Sequence, residues 1–198
     1  MASSPWSALT NPSQDGTVER IWFQGGHKST EQSTLNVDQD INVNTSLQQL
    51  FTESNGKPVV VGNAIVKQSD TVPMMKGKVT IRFVGGDLSD QGLRLKAKRG
   101  WIELSDGSRA EVVDTWRDPD RPDEISYEVS CPSGCLMLWN IYRLIHASGV
   151  ITEDMWTGNA GMVMTSGGPN RRTYACSPGG KSEFNPNGLI VELEWQVH

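Results

Sequence analysis

The chain has 198 residues, of which 36% are hydrophobic, and its 20 glycines and 10 prolines suit short strands joined by turns. A formal net charge of −5 argues against a generally cationic nucleic-acid or lipid binder. No apolar run approaches the roughly 18 residues of a membrane span, and the N-terminus lacks an export-signal pattern. We therefore expect one domain that is not secreted and has no transmembrane segment.

The first 17 residues are mostly Ser, Asn, Pro, Gln and Gly. Such a composition cannot bury enough apolar surface to order itself alone. We therefore predict a flexible N-terminal arm over residues 1–17, followed by a single β-sandwich domain over residues 18–198. The arm carries the apolar residues Trp6 and Leu9, which need a surface to bury them and are candidate subunit contacts.

After the arm, apolar residues alternate with polar ones from residue 18 to residue 43, which predicts strands with one wet face. Thr45 is a candidate helix N-cap, and Gly56 a candidate end of the same short helix. Further strands are predicted over 58–62, 64–67, 78–84, 93–97, 101–104, 109–113, 125–129, 160–165, 172–176 and 189–198. Asp106-Gly107 marks a hairpin turn, and residues 114–123 are predicted to form a solvated loop.

Residues 136–147 fit both helical and strand spacing, and we interpret them as a helix. The last strand has the clearest pattern, because Leu189, Val191, Leu193 and Trp195 alternate with polar residues. Together these elements predict a mostly β fold, an antiparallel jelly-roll-like β-sandwich with one or two short helices and an N-terminal arm.

The segment from Lys76 to Arg99 has a local net charge of +5. Alternation of its cations with Leu93, Leu95 and Ala97 predicts a strand that exposes a basic row, able to hold phosphates or an acidic partner. An edge strand protected by lysines explains the same pattern equally well. The candidate binding residues are Lys76, Lys78, Arg82, Arg94, Lys96, Lys98 and Arg99.

We expect no bound cofactor, although two metal sites are conceivable. Cys131, Cys135 and Cys176 with His146 are donors that zinc accepts, and buried free thiols are the plainer interpretation. The acidic residues between Asp114 and Glu124 could hold Ca²⁺, but Arg117 and Arg121 interleave with them and favour a solvated loop.

Neither a zinc-protease spacing nor a nucleophile elbow accompanies the three histidines, and we expect no enzymatic activity. Seven tryptophans are many for this length and are expected mainly as core or interface anchors. Trp116, Trp156 and Tyr174 stand near polar loops, where a sugar- or lipid-binding site would use exposed aromatics.

The polar arm, the run of strands with short helical insertions, and the closing strand Gly188–His198 resemble the small jelly-roll coat proteins of simple RNA viruses. The resemblance implies a shell of many identical copies, located in the virion and the host cytoplasm. Coat proteins of this kind often have an arginine-rich arm, whereas the first basic residue here is Arg20. Contact with RNA would therefore depend on the Lys76–Arg99 segment.

From the sequence we expect a self-assembling homo-oligomeric structural protein, a viral capsid subunit, with RNA as a further partner through the basic strand. The alternative is a carbohydrate- or membrane-binding β-sandwich module of a lectin-like or cytolysin-like kind. A phage-type tail or decoration protein is a third possibility.

Overall fold

Alternating apolar and polar residues fold into a structure that is almost entirely antiparallel β. The computed structural model describes residues 45–86, 90–118, 123–179 and 183–198, which belong to one compact unit. The predicted arm, its residues Trp6 and Leu9, the boundary at residue 17 and the strands predicted before residue 44 lie outside this part of the chain. The described elements are α1 (Leu47–Glu53), β1 (Val59–Val61), β2 (Ala64–Lys67), β3 (Asp70–Pro73), β4 (Lys76–Gly85), β5 (Gln91–Lys96), β6 (Trp101–Glu103), β7 (Arg109–Ala110), β8 (Val112–Trp116), β9 (Glu124–Ser130), β10 (Cys135–Ile145), β11 (Ile151–Asp154), β12 (Gly161–Gly167), β13 (Arg171–Ser177) and β14 (Leu189–Val197).

The strands form two antiparallel sheets packed face to face, so the predicted β-sandwich is confirmed. The larger sheet has nine strands in the order β1-β2-β12-β13-β14-β4-β9-β6-β7. The smaller sheet has the order β11-β10-β5-β8, and β3 also pairs with β10. The C-terminal strand β14 lies inside the larger sheet, between β13 and β4.

The chain passes from one sheet to the other along short connections. After β3, only Met74 and Met75 separate the smaller sheet from the first residue of β4 in the larger one. In the opposite direction, Glu111 alone lies between β7 and β8. These connections hold the two sheets together at the end of the sandwich where β4 begins.

The core lies between the sheets and is filled by the inward side of each strand. In β14 the predicted alternation is confirmed, since Leu189, Val191, Leu193 and Trp195 are buried. They meet residues of β5 and β10 from the smaller sheet, among them Leu93, Leu95, Leu136 and Leu138. Each large apolar side chain buried in this way contributes roughly 1.5–3 kcal/mol to folding.

The predicted helix is present, and it begins one residue later than expected. Ser46, not Thr45, is the N-cap, and its side-chain oxygen accepts a hydrogen bond from the Gln49 amide at 3.3 Å. Leu47 and Phe51 pack with Val66 in a second, smaller core beside β2 and β12. α1 is the one helix in the described ranges.

The interpretation of residues 136–147 as a helix is wrong, because residues 136–145 belong to β10 and residues 146–147 to the turn that follows. The inward residues Leu136 and Leu138 are in the core, and the outward residues Trp139 and Ile141 are buried as well. Trp156 covers the outer side, with its ring 5.2 Å from that of Trp139. A strand buried on both faces loses its alternation, and its apolar residues then also fit helical spacing.

Two further expectations need correction. The predicted loop from residue 114 begins too early, since Asp114 and Trp116 lie in β8. The strands β3 and β11 were not predicted; β3 ends in a proline, and the first three residues of β11 are exposed. The Asp106-Gly107 turn is as expected, with Gly107 at a φ of 79° between β6 and β7.

Candidate functional site

The seven basic candidates between Lys76 and Arg99 fall into two groups, those with an acidic partner and those without. Arg82 contacts Glu124 at 2.6 Å and Glu194 at 2.8 Å. Arg94 donates two hydrogen bonds to the carboxylate of Asp114, and Lys96 lies 3.8 Å from Glu111. These three cations are therefore neutralised within the protein and are poorly suited to bind an external anion.

The ion pairs of Arg82 belong to a wider pattern on the outer face of the larger sheet. β4 contributes basic side chains to this face, and its neighbours β14 and β9 contribute acidic ones. Further along the sheet, Arg171 of β13 pairs with Glu192 and Arg109 of β7 with Glu103. The described basic residues of this face are Lys76, Lys78, Arg82, Arg109 and Arg171, and the acidic ones are Glu103, Glu124, Glu128, Glu192 and Glu194. The face is therefore balanced in charge.

The predicted row of basic side chains on β5 is present, but Arg94 and Lys96 are engaged in ion pairs. Leu93, Leu95 and Ala97 are buried as expected, which turns Arg94 and Lys96 outward. However, β5 pairs with β10 on one side and β8 on the other, so it is not an edge strand. The alternative explanation, lysines that protect a sheet edge, is therefore wrong.

Lys76, Lys78, Lys98 and Arg99 are exposed and have no acidic partner within the described ranges. All four lie at the end of the sandwich where β4 begins and β5 ends, since Lys76 pairs with Ser130 and Ser130 with Trp101. Lys98 and Arg99, together with Pro132 and Ser133, line a pocket of about 260 Å³ at this end. This part of the basic segment remains available to a ligand.

The four candidate zinc ligands are not brought together. Cys131 and Cys135 lie at the end of the sandwich where β4 begins, and Cys176 lies at the other end, where it pairs with Leu189. Burial raises the pKa of Cys131 to about 11 and that of Cys176 to about 12, so both thiols are protonated at neutral pH. His146 is in the β10–β11 turn, with its Nε2 2.9 Å from the Thr152 hydroxyl.

The residues proposed for Ca²⁺ also do not assemble. Asp114 is engaged by Arg94, and part of the following acidic segment lies outside the described ranges. Among the described residues, no three His, Cys, Asp or Glu side chains form a group that could hold a metal ion.

The aromatic candidates have mostly structural roles. Tyr174 is buried, and its hydroxyl donates to Asp70 at 2.9 Å, so it is not a surface aromatic. The Trp156 indole donates to the carbonyl of Gln68 at 3.1 Å and its ring packs on Trp139. Trp116 lies under the guanidinium of Arg143, 4.0 Å from it.

No family model, curated protein or solved structure matches this chain. Within the described ranges, no helix is long and apolar enough to cross a membrane. The geometry of the described residues is therefore the basis for any functional assignment.

Two exposed apolar surfaces were not predicted from the sequence. The first, here called the β1–β2 surface, consists of Val60, Ile65 and Met164, which are 64%, 60% and 42% exposed. The second, the hairpin tip, consists of Ile145, Val150 and Ile151, which are 66%, 56% and 58% exposed. Their residues resemble ordinary strand residues in sequence, and only the packing shows that nothing in the described ranges covers them.

Two buried amides were also missed. Gln91 is 1% exposed, and neither its side-chain oxygen nor its nitrogen has a hydrogen-bond partner in the described part of the protein. Asn140 donates to the carbonyl of Ser177 at 2.7 Å, while its Oδ1 has no partner there. Both point inward from neighbouring strands of the smaller sheet.

Proposed function

We propose that this protein is a self-assembling structural subunit, a viral coat protein that forms a closed shell. The observation that carries the proposal is the presence of two separate exposed apolar surfaces on one β-sandwich. Contiguous exposed apolar residues mark sites of association, whereas single exposed apolar residues are normal.

The β1–β2 surface arises where the larger sheet extends past the smaller one. Val60 pairs with Ile65 across the β1–β2 hairpin, and Met164 continues the row on β12 next to the Val163–Val66 pair. On β13 the row continues with Tyr174, which is buried between the sheets. The apolar inner face of the sheet therefore continues into the exposed region, where a neighbouring copy can cover it.

The hairpin tip lies at the far end of the β10–β11 pair. Ile145 and Ile151 are opposite each other in register, and Val150 precedes Ile151 in the turn. Residues 145–151 contain no acidic or permanently basic side chain. This tip is on the smaller sheet, whereas the β1–β2 surface is on the larger one.

Two apolar surfaces on different sheets allow each copy to contact two neighbours through different contacts. Such heterologous contacts build rings and shells, whereas a simple two-fold dimer needs only one self-complementary surface. The jelly-roll resemblance, the arm with Trp6 and Leu9, the location in a virion and an RNA partner belong to the same proposal.

The test is the particle mass of the full chain by light scattering across salt and pH, with electron microscopy of the same fractions. We expect closed particles far larger than the 21.8 kDa chain. Ile65→Lys and Ile151→Lys should each reduce assembly, because a charge would be buried at a contact. Val84→Lys is the matched control, since Val84 is 52% exposed on β4 and belongs to neither surface. A wild-type monomer under every condition refutes the proposal.

A second candidate, a membrane-binding module, is favoured by the hairpin tip alone. An apolar tip without acidic residues can enter the interfacial region of a bilayer. Co-sedimentation of the monomer with anionic vesicles, lost in Ile151→Lys and kept in Ile65→Lys, would select this function instead. The carbohydrate-binding alternative has less support, because Trp116 and Trp156 are engaged by Arg143 and Trp139.

A further inference from the structure

The pocket at the β4 end of the sandwich is built by two tight turns. Residues 97–100 form the first, closed by the Gly100 amide, which donates to the carbonyl of Ala97 at 2.8 Å. Residues 131–134 form the second, closed by the Gly134 amide, which donates to the carbonyl of Cys131 at 2.8 Å. Both turns connect strands of the sandwich, so the pocket walls are fixed by the sheets.

Arg99 has a backbone conformation that arginine rarely adopts. Its φ of 60° is in the left-handed region, at a turn position where glycine or asparagine is preferred. A non-glycine residue held in this conformation is strained, and such residues are concentrated at ligand sites. Arg99 lines the pocket from this turn position and brings a positive charge that glycine could not supply.

The charge around the pocket is one-sided. Lys98 and Arg99 line it, and its other lining residues, Pro132 and Ser133, carry no charge. The adjacent acid, Glu111, lies 3.8 Å from Lys96, and its main-chain carbonyl accepts from the Ala97 amide. Lys76 and Lys78 begin β4 at the same end of the sandwich, but Glu128 lies opposite Lys78 in register, so the one-sided charge is that of Lys98 and Arg99. The local field therefore favours an anion.

The size of the pocket and its polar groups indicate which class of anion it can bind. Pockets for drug-sized ligands have volumes of about 300–1,000 Å³, so a pocket of about 260 Å³ suits a small ion or one group of a larger molecule. The Ser133 hydroxyl donates a long hydrogen bond of 3.3 Å to the carbonyl of Cys135 and can rotate to donate into the pocket. Arginine, lysine and serine together match the oxygens of a phosphate.

We infer that this pocket binds a phosphate group through Lys98, Arg99 and Ser133. The inference does not depend on self-assembly, because the pocket is formed within one chain. It also separates the seven basic residues of the segment. Arg82, Arg94 and Lys96 form ion pairs within the sandwich, Lys98 and Arg99 bind the ligand, and Lys76 and Lys78 are exposed without an ion pair in the described ranges.

Equilibrium dialysis of the full chain against radiolabelled inorganic phosphate tests the inference, since this measurement works for any assembly state. We expect Arg99→Gly to weaken binding by about tenfold or more, the loss typical of a charged hydrogen bond. Glycine relieves the left-handed backbone, so this variant should keep its melting temperature and a loss of binding cannot be attributed to unfolding. Lys57→Ser, an exposed lysine beyond α1, is the matched control and should bind as the wild type.

Saturable phosphate binding that is lost in Arg99→Gly and kept in Lys57→Ser supports the site. Absence of binding by the wild type, or equal binding by both variants, overturns it. A second arm uses a short single-stranded oligouridylate. Binding tighter than that of phosphate, with a steep dependence on salt, identifies the phosphate as part of an RNA backbone, and binding no tighter identifies a free anion.

Discussion

Asp70 is the side chain on which the most separate parts of the protein converge. It accepts from Lys67 at 3.1 Å, from Arg172 at 3.0 Å and from the Tyr174 hydroxyl at 2.9 Å, and so links β3 to β2 and β13. Burial alone would raise the pKa of Asp70, but the hydrogen bonds from Tyr174 and Lys67 outweigh it and lower the pKa below its ordinary 3.8. The folded state therefore favours the charged carboxylate.

We expect Asp70→Asn to lower the free energy of unfolding at pH 7 by about 2–3 kcal/mol, because it leaves two partly buried cations without their partner. A carboxyl whose pKa is lowered by folding stabilises the protein above its unfolded pKa, and this stabilisation is lost as pH falls through the folded value. The difference from wild type should therefore shrink below pH 3.8. Denaturant unfolding at several pH values measures it, with the exposed Glu53→Gln as control. A difference that does not change with pH would contradict the assigned role.

At the scale of single residues, the sequence indicated types of chemistry but not partners. It placed the positive charge of Lys76–Arg99 correctly, yet Asp114, which neutralises Arg94, lies 20 positions away in sequence on another strand. The pocket could not be predicted from the sequence either, because only the fold brings Ser133 and Arg99 to the same place. Pairing across strands depends on register, which local patterns do not give.

At the scale of elements, strands with one buried face were predicted correctly, whereas the strand buried on both faces was not. β14 and β4 alternate in sequence as they do in burial, and both are confirmed. In β10, Trp139 and Ile141 are buried on the outer side, so the pattern fitted a helix. The missing information was the covering segment around Met155 and Trp156, whose position follows from long-range packing.

The contact between β4 and β14 leaves no room for a side chain at Gly77. A β-carbon at this position would overlap the main-chain carbonyl oxygen of Gln196. Gly77→Ala should therefore destabilise the protein by about 1–3 kcal/mol, the usual cost of overpacking. Gly167→Ala in β12 is the control, since its nearest neighbour would be Met164 Sδ at 3.5 Å, and it should change stability by less than about 0.5 kcal/mol. Equal effects of the two substitutions in thermal unfolding would contradict this packing.

At the scale of the whole molecule, the C-terminal strand β14 is an interior strand of the larger sheet and a main part of the core. β14 lies between β13 and β4 and contributes four buried residues to the core. A chain that ends at Gly188 should therefore fail to fold, as seen by loss of the cooperative unfolding transition.

A chain that ends at Gln196 is the control for this truncation. It loses only Val197, which is 57% exposed, and His198, whose Nε2 lies 3.5 Å from Glu128 near the surface. We expect it to fold with a melting temperature lower by about 2–4 °C. Cooperative unfolding of the chain that ends at Gly188 would show that the sandwich closes without its final strand.

The alternation of charge across the larger sheet also carries information about strand order. β14 and β9 are both acidic on their outer faces and both pair with β4, which is basic. Direct pairing of β14 with β9 would place Glu192 and Glu194 opposite Glu124 and Glu128, and like charges in that position repel. The outer face adds little to stability through its exposed ion pairs. We therefore expect the same charges to disfavour a sheet in which β14 pairs with β9, and to favour the observed order with β4 between them.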